Sequence, residues 1–130
     1  ILPKITYTSE DINYNNPSSR ATKEQNDSSM RPEILNTIDN LDTYDTIILG
    51  YPIWHGQAPK IIYTFLETYD FSNKAVIPFC TSHSSGVESS VSNLKSVVSS
   101  SAKWFEAKRF GQNTSNLLIE EWIESLSIDK

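Results

Sequence analysis

The chain has 130 residues, enough for one domain with a central sheet covered by helices. Sixteen acidic residues against 11 Lys and Arg give a formal charge of −5, which excludes the nonspecific nucleic-acid binders, whose affinity comes from a basic face. A single cysteine excludes an intramolecular disulfide and a cysteine-built metal cluster, and no apolar run approaches the ~20 residues that span a bilayer.

Lys4 to Tyr7 opens the chain with a brief β-like stretch. Ser9 to Ser29 is rich in Asn, Asp and Ser without an apolar period, and reads as an extended loop of a length usually kept for function. Pro32 is expected to start a helix reaching about Asn40, with Ile34, Leu35, Ile38 and Leu41 as its inward stripe. Asp45 to Gly50 follows as a strand, its Ile47-Ile-Leu49 burst being typical of a parallel sheet buried on both faces. A helix from Pro59 to about Tyr69 places Ile61, Ile62, Phe65, Leu66 and Tyr69 on one face. A second buried strand, Ala75 to Cys80, runs into Thr81-Ser-His-Ser-Ser-Gly86. Ser85 and Glu88 have capping-box spacing for the next helix, whose stripe is Val87, Val91, Leu94 and Val98. Lys108 to Phe110 reads as a shorter strand ending at Gly111, and a last helix from about Ser115 to Leu126 is expected to bury Leu118, Trp122 and Leu126.

Alternating strands and helices predict an α/β fold, an open, doubly wound parallel sheet with helices on both faces. All four glycines and both histidines fall at or just beyond predicted strand C-termini, the edge at which open α/β sheets bind ligands. In the loop Tyr51 to Ala58, Trp54 offers a stacking face and His55 an imidazole beside flexible Gly56. The local sequence alone leaves open whether Trp54 meets a ligand or covers the sheet edge. The loop Thr81 to Gly86 brings four hydroxyls and His83 to a helix N-terminus, where capping the turn is their first role and holding an anion or a ring edge an additional one. No serine sits in a nucleophile elbow, and nothing in the spacing of His55, Cys80 and His83 favours a metal. Cys80 reads as a small buried hydrophobe.

These segments together carry a family likeness. Gly-Tyr-Pro-Ile-Trp-His-Gly-Gln-Ala-Pro (50 to 59), Phe-Leu-Glu-Thr-Tyr-Asp-Phe-Ser-Asn-Lys (65 to 74) and Ile-Pro-Phe-Cys-Thr-Ser-His-Ser-Ser-Gly (77 to 86) resemble the flavodoxin-like family. So do Tyr7-Thr-Ser-Glu-Asp-Ile-Asn-Tyr14, Ser19-Arg20-Ala-Thr with Glu24, and Arg31-Pro-Glu33. The resemblance implies an electron carrier holding FMN noncovalently at one sheet edge. Pro52, Ile53, Trp54, His55 and Gly56 would lie along one side of the isoalloxazine ring, with Trp54 as its aromatic wall. Thr81, Ser82, His83, Ser85 and Gly86 would meet its pyrimidine edge and other side. By the same resemblance, His55 stands where relatives often have a second Trp, and His83 where they often have glycine. Arg20 and Glu24 are expected to pair structurally and hold their loop against the sheet.

The family pattern also begins with a strand, a phosphate-cradling loop and a long helix, and Lys4 to Tyr7 matches its second strand. One domain over residues 1–130, shortened at the N-terminus, is therefore expected, and the Ile start fits a truncated product. Weak or absent FMN binding, and self-association through open sheet edges, would follow. Expected partners are redox proteins such as a flavin reductase, with no nucleic acid and no membrane, in a cytoplasmic setting. The alternatives are an FMN-dependent NAD(P)H or quinone oxidoreductase on the same fold, and a flavin-free truncated interaction domain.

Overall fold

The computed structural model describes residues 1–111 and 113–126. Its sheet is built from β1 (Thr46–Pro52), β2 (Ala75–Thr81), β3 (Lys103–Trp104) and β4 (Lys108–Phe110). All pairings are parallel: β1 lies beside β2, and β3 and β4 share the other edge of β2. The helices are α1 (Arg20–Gln25), α2 (Lys60–Thr68), α3 (Glu88–Lys95) and α4 (Asn116–Ser125). This is the open parallel α/β sheet that the strand and helix order predicts.

Side-chain alternation sorts the two faces of the sheet. Leu49 and Tyr51 of β1, with Val76 and Cys80 of β2, point into the main core. There they meet Ile61, Ile62, Phe65 and Leu66 of α2 and Val91 and Leu94 of α3. The predicted stripes of both helices thus form one interior, with Leu66, Leu94 and Val76 among its fully buried members. Ile48 and Gly50 of β1 face the opposite side, where Phe79 of β2 packs with Phe110 and Trp122 in edge-to-face pairs at centroid distances of 5.4–5.9 Å. A Cβ on Gly50 would fall 2.2 Å from the Phe79 ring, so only glycine lets that ring lie flat on the neighbouring strand. Farther out on this face Ile48 is exposed, and β1 has no partner on its outer edge among the described residues.

Four expectations need correction. Lys4 to Tyr7 is not a strand; the one pairing nearby is an isolated antiparallel bridge between Pro3 and Ile34. The helix expected from Pro32 to Asn40 does not form, and only a 3-10 turn at Leu41–Thr43 follows. Its backbone groups are engaged elsewhere: Lys4 N donates to Glu33 O, Leu35 N to Leu2 O, and Ile38 N to the Tyr69 hydroxyl. Long-range pairing takes the donors that a helix would have turned inward. The Ser9 to Ser29 segment, in turn, is not wholly loop, because it contains α1, capped where the Ser19 side chain accepts from Thr22 N. Finally, α4 buries none of its residues: Leu118 is exposed, and Trp122 and Leu126 are half-buried. The helix rests on the sheet through Trp122 alone among the aromatic contacts. Its start is as expected, and the Ser115 side chain caps it, accepting from Leu118 N.

Candidate functional site

The register of β1 with β2 sets Pro52 beside Thr81, so the two loops that follow leave the sheet as neighbours. Ile53 N donates to Thr81 O across the junction (3.1 Å). Two residues of adjacent strand ends thereby start one cleft.

The first loop reverses at once. Trp54 and Gln57 exchange both backbone hydrogen bonds, at 2.8 and 3.1 Å, around His55 and Gly56, whose φ angles are +50° and +79°. Two consecutive positive φ values are the signature of a type I′ turn. Glycine meets that demand freely, whereas histidine does so at a cost in strain. Neighbouring elements hold the turn in place. Gln25 of α1 donates its side-chain N–H groups to Trp54 O (2.9 Å) and Ala58 O (3.1 Å). Thr22 Oγ1 lies 3.2 Å from His55 Nε2. On the other flank, Gln57 donates to Ser89 Oγ and accepts from Asn93 Nδ2, which ties the turn to α3.

Behind this loop sits a polar and aromatic knot. Arg20 Nε donates to Glu24 Oε2 at 3.0 Å, and Tyr7 Oη donates to the second carboxylate oxygen. The guanidinium lies 3.7 Å over the Tyr7 ring, whose other contact is an edge-on Trp54 at 5.2 Å. Burial, then the bond to Glu24, pushes the Tyr7 phenol well above its ordinary pKa. Glu24 is itself buried, so this knot is a sequestered fastening point. The Arg20–Glu24 pair therefore holds Tyr7 against Trp54.

The second loop is held at Ser82, by one bond of its own and by β4. Ser82 Oγ donates to Ser85 O (2.6 Å), Ser82 N donates to Phe110 O, and Arg109 Nη1 donates to Ser82 O (3.1 Å). The capping box expected of Ser85 and Glu88 does not form. The helix begins at Glu88, too late for that residue to reach back from its third position, and Val87 caps it without a side-chain bond. A Cβ on Gly86 would lie 2.6 Å from a Glu88 carboxylate oxygen, so the close space above this glycine is filled by an acid.

Between the loops lies a cleft of about 360 Å³ lined by Tyr14, Ile53, His55, Gly56, Ser82, His83, Ser84 and Ser85. Of the residues expected from sequence, the structure gathers Ile53, His55, Gly56, Ser82, His83 and Ser85 here. Pro52, Trp54, Thr81 and Gly86 do not line it: Pro52 and Thr81 end the strands, and Trp54 faces Tyr7. The aromatic surface at the cleft comes instead from Tyr14, stacked on His55 at 4.6 Å with planes 16° apart. Sequence reasoning missed Tyr14 because its segment has no periodicity; its position in the matched stretch 7 to 14 was the available signal. Cys80 is fully buried in the main core, and burial raises its thiol pKa. Tyr51 lies in the same core, its hydroxyl 2.8 Å from Ser90 Oγ and its pKa pushed up to about 12 by burial. Among the described residues, no three His, Cys, Asp or Glu side chains gather as a metal site, and no helix is long and apolar enough to cross a membrane.

The family model described as Flavodoxin matches residues 1–126. The chain belongs to the flavodoxin family. Solved structures agree with this flavodoxin architecture. A protein designated a flavoprotein from Bacteroides eggerthii DSM 20697 is 36% identical, with a TM-score of 0.85, over 99% of this chain and 80% of the other. Another so designated, from Bacteroides uniformis ATCC 8492, is 35% identical with a TM-score of 0.88, over 95% and 78%. A flavoprotein from Lactobacillus acidophilus NCFM, solved in complex with FMN, shares 23% identity at a TM-score of 0.55, over 79% and 65%, a likeness of fold. None of the curated proteins matches.

Proposed function

We propose that this chain is a flavodoxin-type electron carrier that seats the isoalloxazine ring of noncovalent FMN between residues 53–56 and 82–85. The observation that carries the reading is the cleft at the carboxyl ends of two adjacent parallel strands. Its chemistry fits a flavin: one wall is apolar and aromatic at Ile53 and His55, and the other presents Ser82, His83, Ser84 and Ser85 to a polar ring edge. Bound FMN supplies the redox chemistry, and the protein supplies orientation and surroundings. Pro52 and Thr81 set the spacing of the walls, Gly56 gives close backbone approach, and Trp54 stiffens the first loop from behind. No side chain is required as a general acid or base.

Titration followed by flavin fluorescence is expected to show saturable binding of FMN, and a flavin spectrum unchanged by the protein would overturn the whole reading. A carrier also depends on a separate reductase, for which the acidic surface suits a basic docking face. NAD(P)H oxidation by the flavin-loaded protein alone would instead favour a self-sufficient oxidoreductase.

A further inference from the structure

We propose that Tyr14 is the outer stacking surface of the cleft, a flavin-ring contact delivered by the polar segment between Ser9 and Ser29. This inference rests on the flavin reading above. Tyr14 is 70% exposed, and scattered exposed aromatics are ordinary on protein surfaces. Three observations separate this one from the rest.

First, the ring is held by a tight turn. Asn16 N donates to Asn13 O, and Asn13 Oδ1 accepts from Asn15 N, so Tyr14 stands at the tip of a turn fixed at both ends. Asn16 Nδ2 donates to Glu10, which braces the same turn from below. Second, Tyr14 lies on a plate that is itself clamped. Thr22 Oγ1 also donates to Asn16 O (3.2 Å) and lies 3.2 Å from His55 Nε2, so it ties the imidazole to the turn that carries Tyr14. Thr22 is buried, and the His55 backbone is confined by its turn, so the imidazole is fixed from both sides. Third, both rings line the cleft, nearly coplanar in orientation. With one face on His55, the exposed phenol keeps its other face free. Such a prearranged aromatic surface suits a planar, electron-poor ring, because little side-chain freedom is lost when a third layer is added.

The test is the affinity of Tyr14→Ala, Tyr14→Phe and Tyr14→Trp for FMN and riboflavin, measured beside their melting temperatures. Tyr14→Ala is expected to weaken both flavins alike, by about three- to tenfold, with melting unchanged. The Phe and Trp variants are expected to restore binding, because the contact needs a ring and not a hydroxyl. Flavin binding by the wild type with equal affinity in Tyr14→Ala would overturn this inference and leave the flavin reading standing. A weakened affinity that tracks a lower melting temperature would overturn it too, making Tyr14 a prop for His55. Absence of flavin binding in the wild type would remove both.

Discussion

The two walls of the cleft are built on different principles. Residues 53–57 are held from outside, by α1 on one flank and α3 on the other, and their turn contains two positive φ angles. Residues 82–86 are gripped from β4 at one residue, Ser82, by Arg109 and Phe110, and have a single bond of their own, from the Ser82 hydroxyl to Ser85 O. A wall buttressed on both flanks keeps its shape as long as its supports stand, whereas a wall held at one residue can adjust beyond it. The first suits a rigid stacking surface, and the second a loop that adjusts to the polar edge of a ring.

Removing the supports one at a time tests this contrast. Glu24→Ala is expected to have the largest effect, because it strands Arg20 and the Tyr7 hydroxyl in partly buried surroundings. A loss of about 2–3 kcal/mol in urea denaturation is expected, with flavin affinity falling in parallel as the first wall relaxes. Unchanged flavin affinity would show that α1 is not a buttress of the site. Gln25→Leu keeps the shape of the side chain but removes both bonds to the base of the turn, and is expected to cost about 1–2 kcal/mol.

Tyr51, in the core against α3, supplies a pH test. Ser90 Oγ donates to Val87 O, so the Tyr51 phenol is the donor in its bond to Ser90. Its pKa is raised from 10.0 to about 12 in the fold, so between these values the native state holds a proton that the unfolded chain has released. Stability is therefore complete below pH 10 and declines as the pH rises towards about 12. Tyr51→Phe is expected to flatten that decline while costing about 1 kcal/mol at neutral pH, and chemical denaturation across the range reads both. Ser82→Ala has the smallest expected effect on stability, under about 1 kcal/mol, since the bond it removes is exposed. Its flavin affinity is nevertheless expected to shift, and a change in melting larger than that of Gln25→Leu would reverse the assignment of the two walls.

What the sequence disclosed follows from the range of the forces involved. The strands at Ile47–Leu49 and Val76–Ile77 and the stripes of α2 and α3 were legible from their apolar patterns, which the core largely follows, although Ile48, expected to be buried, is exposed. The residues Ile53, His55, Ser82 and His83 were legible as a group because parallel strands deliver successive loops to one rim. Ile34, Leu35 and Ile38 misled because their helical spacing lost to backbone bonds with Leu2, Lys4 and Tyr69. Six residues of α1 are too few for a periodic signal, so the helix, its Ser19 cap and the roles of Thr22 and Gln25 stayed hidden. The family resemblance marked Trp54 as the wall, but no local pattern showed its edge-to-face partner Tyr7, 47 positions away, whose approach depends on the buried Glu24.

Among the described residues the outer border of β1 carries unpaired amides and carbonyls beside an exposed, apolar Ile48, the kind of border that sheet proteins guard with charge. Ile48→Lys is therefore expected to improve the shelf life of this chain without touching the ligand end of the sheet, as light scattering during concentration would show.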